Sequence, residues 1–142
     1  MEEFKMNKYE IKRVDLDNYI LEYKDKKLKF KSDVSVTARM QACNKIGKLK
    51  ALEELSKNGK SLKDYVIEKK ENGKTYVDNS NKTEVLNTFI EEEMAETFDK
   101  IIKEKFNMNL QQLVTDIGLS SEEEVEIFSE KLSYALTGNT PR

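Results

Sequence analysis

The sequence contains no histidine and no tryptophan, and it has only one cysteine and one proline among its 142 residues. Without histidine, the side chain most often used as a general acid or base is missing, and so is the Glu-x-x-His pattern of di-iron bundles. The one cysteine, Cys43, has no partner for an internal disulfide, and its place in an apolar helical pattern predicts a small buried side chain. These absences predict a protein that is not an enzyme and that uses no cofactor and no metal.

Glycine is also scarce, and the glycine-rich loops that bind phosphate groups in nucleotide enzymes are absent. The segment 58–61, Asn-Gly-Lys-Ser, matches only the end of one such pattern and predicts a turn. No apolar run approaches the roughly 20 residues that span a bilayer, and the N-terminal residues 1–4 lack the features of a signal peptide. We therefore expect a cytoplasmic protein with no membrane association.

What the chain does have is an uneven distribution of charge. Residues 1–70 hold 18 Lys/Arg and 12 Asp/Glu, a net charge of +6, whereas residues 71–142 hold 7 and 15, a net charge of −8. The total of −2 therefore conceals a basic first half and an acidic second half. Opposed charges of this kind favour association with a protein partner or with other copies of the chain.

Length and hydrophobic periodicity predict one α+β, mostly α-helical domain over 1–142, in which an N-terminal β-hairpin packs against a small helical bundle. The predicted hairpin covers about 19–31, because two apolar runs flank the polar turn 24–27. The segment 9–14 fits either another strand or an extended arm. The predicted helices cover about 36–55, 82–106, 109–117 and 121–136, followed by a flexible tail at 137–142.

The two long helices are predicted from apolar residues spaced three and four apart. In the first, this spacing predicts one buried stripe: Ala42, Cys43, Ile46, Leu49, Leu52 and Leu55. In the second, a broad apolar band from Val85 to Phe106 predicts the central core helix, with Asn81 as its N-cap. Gly47 marks either a close packing point or a tolerated glycine.

Two short polar patterns predict the ends of the last two helices. Asn109 with Gln112, and Ser121 with Glu124, have the spacing of N-terminal capping boxes. Between the long helices, 61–77 is ambiguous. A helix capped by Ser61 and followed by a loop is the preferred interpretation, and a hairpin around Asn72-Gly73 is the alternative.

The candidate protein-binding residues are charged side chains in both halves of the chain: Lys27, Lys29, Lys31, Glu91, Glu92 and Glu96. In a strand, the three lysines share one face and Leu28 and Phe30 the other, which predicts that the aromatic ring points into the core. Lysines interleaved with aromatic residues are also typical of nucleic-acid binding, but the overall acidity of the chain argues against it. The acidic clusters are most simply a solvated helix face.

The order of these elements, with the Leu28-Lys29-Phe30 strand, an acidic helical second half and the C-terminal segment 128–142 (FSEKLSYALTGNTPR), resembles the tail assembly chaperones of long-tailed phages and prophages. This resemblance implies a non-enzymatic protein that coats the helical, aggregation-prone tape-measure protein, assists polymerisation of the tail tube around it and then leaves the finished tail. It also implies that a frameshifted longer form is often made, which an exposed end at 137–142 would permit.

One hypothesis follows for the charged residues: Lys27, Lys29 and Lys31 of one copy meet Glu91, Glu92 and Glu96 of the next, ordering a homo-oligomer along the partner. Two other functions remain open, a small nucleic-acid-binding or regulatory module that uses the lysine-rich hairpin, and a structural subunit of a phage particle.

Overall fold

The computed structural model describes residues 8–138 and has the predicted α+β, mostly helical fold. Its elements in chain order are β1 (Glu10–Arg13), β2 (Asn18–Tyr23), β3 (Lys26–Lys31), α1 (Ser35–Lys57), a 3₁₀ turn (Leu62–Tyr65), β4 (Ile67–Glu71), β5 (Lys74–Asp78), α2 (Ser80–Phe106), α3 (Leu110–Ile117) and α4 (Glu122–Thr137). The last helix includes the first residue of the predicted tail, and 139–142 lie outside the described residues.

The described chain divides into two compact units. The first unit comprises 8–38 and 99–138, and the second unit comprises Arg39–Phe98. The boundaries fall within α1 and within α2. A single domain over 1–142 stays a prediction, and the two units are described in turn.

The first unit contains an antiparallel sheet in the order β1-β2-β3. Tyr19 pairs with Phe30 and Leu21 with Leu28, so the predicted hairpin is confirmed and 9–14 includes a third strand. Every second residue of β2 is buried, as expected for a sheet with one face on a core. The Tyr19 and Phe30 rings stack with centroids 5.5 Å apart, and Phe30 meets the Phe106 ring edge-on at 5.0 Å.

The helices of the first unit complete its core. Both predicted capping boxes are confirmed: the Asn109 side chain accepts a hydrogen bond from the Gln112 N–H, and the Ser121 side chain accepts one from the Glu124 N–H. The apolar side chains of this core come from β2, β3 and parts of all four helices: Tyr19, Leu21, Tyr23, Phe30, Val36, Ile101, Ile102, Phe106, Leu113, Val114, Ile117, Phe128, Leu132, Ala135 and Leu136.

A polar cluster fastens the hairpin to α3. The Tyr23 hydroxyl donates to the Asp116 carboxylate at 2.6 Å, and the Lys26 ammonium approaches the same oxygen at 2.6 Å. Hydrogen bonds from Lys26 and Tyr23 hold the pKa of Asp116 below its usual range. Burial, followed by the hydrogen bond to the anionic carboxylate, raises the pKa of Tyr23 to about 12.

In the second unit, α1 and α2 pack through small residues. Position 47 of α1 lies against position 90 of α2, and position 43 against position 93, so the two helices run in opposite directions. A Cβ atom added to Gly47 would stand 2.6 Å from the Cα of Ile90. Gly47 is therefore a close packing point, and its missing side chain lets the two backbones approach.

The preferred interpretation of 61–77 was wrong, and its alternative is correct. The predicted helix is a single 3₁₀ turn, and β4 and β5 form a hairpin in which Lys69 pairs with Tyr76. Asn72 and Gly73 have φ values of 53° and 75°, which is what a two-residue type I′ turn requires at both positions. The turn chemistry and the β-branched and aromatic residues of both arms outweigh the helical signal of Ser61.

The N-terminus of α2 also differs from the prediction. The helix begins at Ser80, one residue before the predicted cap Asn81, and the Asp78 side chain accepts a hydrogen bond from the Ser80 N–H at 2.9 Å. Hydrogen bonds from the side chains of Lys69 and Ser80 keep the pKa of Asp78 far below its usual range.

Within 8–138, no helix has the length and apolar character needed to cross a membrane.

Candidate protein-binding surface

The three predicted lysines lie on the outer face of the sheet in the first unit. Lys27, Lys29 and Lys31 are exposed, and they alternate with half-buried Leu28 and buried Phe30. The expected alternation is therefore confirmed. The same face carries Lys12 of β1 and Glu22 of β2, and it is not uniformly basic.

Glutamate neutralises part of this lysine-rich face. Glu22 lies 2.9 Å from the Lys12 ammonium and 3.7 Å from that of Lys27. Both aromatic residues of the lysine-rich run, Tyr23 and Phe30, are buried beneath the sheet. Their rings are therefore not available for stacking on bases, which removes one of the two features that suggested nucleic-acid binding.

The three predicted glutamates lie on α2 in the second unit, and the structure separates them. Glu92 and Glu96 line a groove of about 280 Å³ between α1 and α2, together with Lys50 and Lys57 of α1. Glu91 lies with Glu84 in a different, polar part of the α2 surface. The predicted acidic face is thus divided between two surfaces of one helix.

An ion pair forms part of this groove. The Lys50 ammonium donates to the Glu93 carboxylate, and this hydrogen bond raises the pKa of Lys50. Lys57 approaches Glu53 at 3.5 Å one helical turn away. The charged lining of the groove consists of two lysines and five glutamates, Glu53, Glu54, Glu92, Glu93 and Glu96, so the net charge of the groove is negative.

One surface on α1 is not predicted by the sequence pattern, because the spacing of the large apolar residues of this helix predicts that they lie in the core. Ile46, Leu49 and Leu52 are 39%, 56% and 45% exposed, respectively. The buried residues of α1 in the second unit are smaller or lie at the end of the helix: Cys43, Gly47, Ala51 and Leu55. The prediction of one buried stripe was correct for Cys43 and Leu55 and wrong for Ala42, Ile46, Leu49 and Leu52.

The packing of α1 on α2 explains this exchange. Cys43, Gly47 and Ala51 recur every four residues and therefore share one side of the helix. With a glycine at its centre, this side admits the backbone of Ile90, and larger side chains would not fit there. The larger apolar residues are left on the opposite side of α1. We name this surface, formed by Ala42, Ile46, Leu49 and Leu52, the outer stripe.

The charge beside the outer stripe has one sign along most of its length. No Asp or Glu occurs between Asp33 and Glu53, whereas four basic residues fall in this interval: Arg39, Lys45, Lys48 and Lys50. Lys45 and Lys48 are exposed, and neither has an ion-pair partner among residues 8–138. The outer stripe is therefore an apolar surface with a basic border.

The second unit as a whole exposes more large apolar side chains than it buries. Its buried hydrophobic residues are Cys43, Ala51 and Leu55. Its exposed ones are more numerous and larger: Ile46, Leu49, Leu52, Ile67, Tyr76, Val77 and Met94. Single exposed apolar residues are common on proteins, but Ile46, Leu49 and Leu52 lie together along the outer stripe, and a contiguous apolar strip is typical of a surface that binds another macromolecule.

In the described range 8–138, no three acidic or cysteine side chains come together as metal ligands. Comparison of the chain with protein-family models, with curated proteins and with solved structures finds no match.

Proposed function

We propose that this protein is a non-enzymatic chaperone that binds an apolar, helical partner protein. One observation carries the proposal: the second unit exposes seven large hydrophobic side chains and buries three hydrophobic residues. A chain that keeps such a surface in water is suited to covering the apolar surface of a partner that would otherwise aggregate.

The partner that we propose is the tape-measure protein of a long-tailed phage or prophage. The resemblance to tail assembly chaperones suggests this identity, and the exposed apolar residues are compatible with it. A tape-measure protein is long and helical, so it offers many apolar helix faces in sequence. Several copies of the chaperone would bind along it and leave as the tail tube forms.

Co-expression with the tape-measure protein from the same genome tests this proposal. We expect the two proteins to co-purify as a soluble complex, whereas the tape-measure protein expressed alone should be insoluble. A tape-measure protein that stays insoluble while this protein elutes alone would refute the proposal. An unrelated long helical protein serves as the control partner and should not co-purify.

A further inference from the structure

The outer stripe has the residue spacing of a helix-docking seam. Ala42, Ile46, Leu49 and Leu52 are separated by four, three and three residues, so they follow one side of α1. The ten helical steps from Ala42 to Leu52 correspond to about 15 Å of helix, roughly three turns. A partner helix packed alongside would place its own apolar residues between these side chains, as in a coiled-coil seam.

The basic border selects the charge of that partner. Lys45 and Lys48 lie one helical turn before Leu49 and Leu52, respectively, and no acidic residue occurs between Asp33 and Glu53. A helix with Asp or Glu beside its apolar seam would gain favourable contacts with these ammonium groups, and a helix bordered by Lys or Arg would be repelled.

We infer that the outer stripe of α1 is the docking site for an amphipathic helix of another protein, with apolar residues at three- and four-residue spacing and acidic residues beside them. This inference rests on the proposed chaperone function and identifies the surface that performs it. The acidic border of the partner helix provides selectivity, and its apolar seam provides most of the binding free energy.

A second copy of this chain is a poorer occupant. The best match is α4, where Ile127 and Tyr134 are exposed next to acidic residues. These two residues are seven positions apart, and Glu130 and Lys131 lie between them. On α2, Met94 is the exposed large apolar residue. Neither helix gives a continuous exposed seam that matches the three turns of the outer stripe.

A titration with designed peptides tests the inference. The probe is a fluorescently labelled helical peptide of about 18 residues, roughly five turns, with leucines along one side and glutamates beside them. The control peptide carries lysines in place of the glutamates. We expect fluorescence anisotropy to show saturable binding of the acidic peptide that weakens with added salt, and at least tenfold weaker binding of the basic peptide. Equal binding of the two peptides would overturn the inference.

Two variants of the protein locate the site. Leu49→Ser should weaken binding of the acidic peptide by about five- to tenfold, because the exposed half of the Leu49 side chain can then no longer be buried against the peptide. The double variant Lys45→Glu, Lys48→Glu should bind the acidic peptide at least tenfold more weakly. It should also no longer bind the acidic peptide more tightly than the basic peptide. Leu16→Ser, at a 76% exposed residue of the first unit, is the matched control and should bind like the unmodified protein.

Other occupants give other results. Unchanged peptide binding by the Leu49→Ser variant would overturn the inference. Self-association of the unmodified protein that is lost in this variant would also overturn it, because the occupant of the outer stripe would then be a second copy. Binding of anionic lipid vesicles with no binding of the acidic peptide would also overturn it. Circular dichroism and thermal unfolding of each variant show whether the fold is retained.

The same variants separate this inference from the proposed function. If the Leu49→Ser variant no longer binds the peptide but still co-purifies with the tape-measure protein, the chaperone proposal stands and its site lies elsewhere. If the unmodified protein binds the acidic peptide through the outer stripe but does not co-purify with the tape-measure protein, the docking site stands and the identity of the partner is wrong.

Discussion

At the scale of single residues, Gly47 decides which side of α1 is buried. Gly47→Ala would ordinarily stabilise a helix by up to about 1 kcal/mol, because alanine has the higher helix propensity. Here the new Cβ would stand 2.6 Å from the Ile90 Cα and 2.9 Å from its backbone nitrogen. We therefore expect the opposite sign, a loss of about 1–3 kcal/mol from overpacking, measured by urea unfolding.

The matched control for that prediction is Asn44→Ala, at an exposed position of the same helix, which should change the free energy of unfolding by less than about 0.5 kcal/mol. A Gly47→Ala variant more stable than the unmodified protein would show that α1 and α2 do not approach closely at this point.

The pKa of Tyr23 gives a second prediction at this scale. Because the pKa is raised from 10 to about 12 in the folded protein, the unfolded chain loses this proton first as pH rises. The stabilisation that accompanies the protonated hydroxyl is complete below about pH 10 and is lost between about pH 10 and pH 12. Tyr23→Phe also removes the hydrogen bond to Asp116, which is worth about 1 kcal/mol near pH 7.

We therefore expect the unmodified protein to be more stable than the Tyr23→Phe variant at about pH 7, and this advantage to shrink as pH rises above about 10. Urea unfolding midpoints at several pH values test it, with Tyr134→Phe, at a 39% exposed tyrosine, as the control. A stability difference that stays constant up to about pH 11 would contradict the prediction.

At the scale of secondary-structure elements, local signals predicted the N-termini of α3 and α4 but not that of α2, and periodicity predicted the buried side of a helix only where the helix has one apolar face. The capping residues Asn109 and Ser121 and the alternation of β3 were correctly identified, because each depends on a few neighbouring residues. The preferred prediction for 61–77 was wrong because two local signals compete there, the Ser61 helix cap and the Asn72-Gly73 turn, and the turn is the stronger one.

The outer stripe could not be predicted from α1 alone. This helix has apolar residues on two sides, and hydrophobicity favours the side with the larger residues as the core. The deciding information is the shape of α2 at Ile90, which accepts a glycine and excludes a leucine. The sequence does contain one sign of close helix packing, a row of small residues four apart: Cys43, Gly47 and Ala51.

At the scale of the whole molecule, the two units differ in how much they bury. The first unit has an aromatic and aliphatic core from the sheet and the helices, whereas the second unit buries Cys43, Ala51 and Leu55. Regions that bury few apolar groups open at lower free energy than the rest of a protein. We therefore expect the second unit to have lower protection from amide hydrogen exchange.

Helix α2 allows this comparison within one element. Native-state hydrogen exchange should show amides near Leu86–Ile90 exchanging at least tenfold faster than those near Ile101–Phe106, a difference of about 1.4 kcal/mol in opening free energy. The difference should decrease when a partner covers the second unit. Equal protection along the whole helix would show that the two units open together.

The single cysteine of the chain has a practical consequence for measuring that opening. Cys43 is fully buried where α1 meets α2, and its sulfur lies 3.7 Å from the backbone oxygen of Glu93. A thiol reagent can reach it only when these helices separate, and the chain has no other thiol to react. The rate of Cys43 alkylation therefore measures local opening of the second unit in the unmodified protein, free or bound to a partner, without an engineered label.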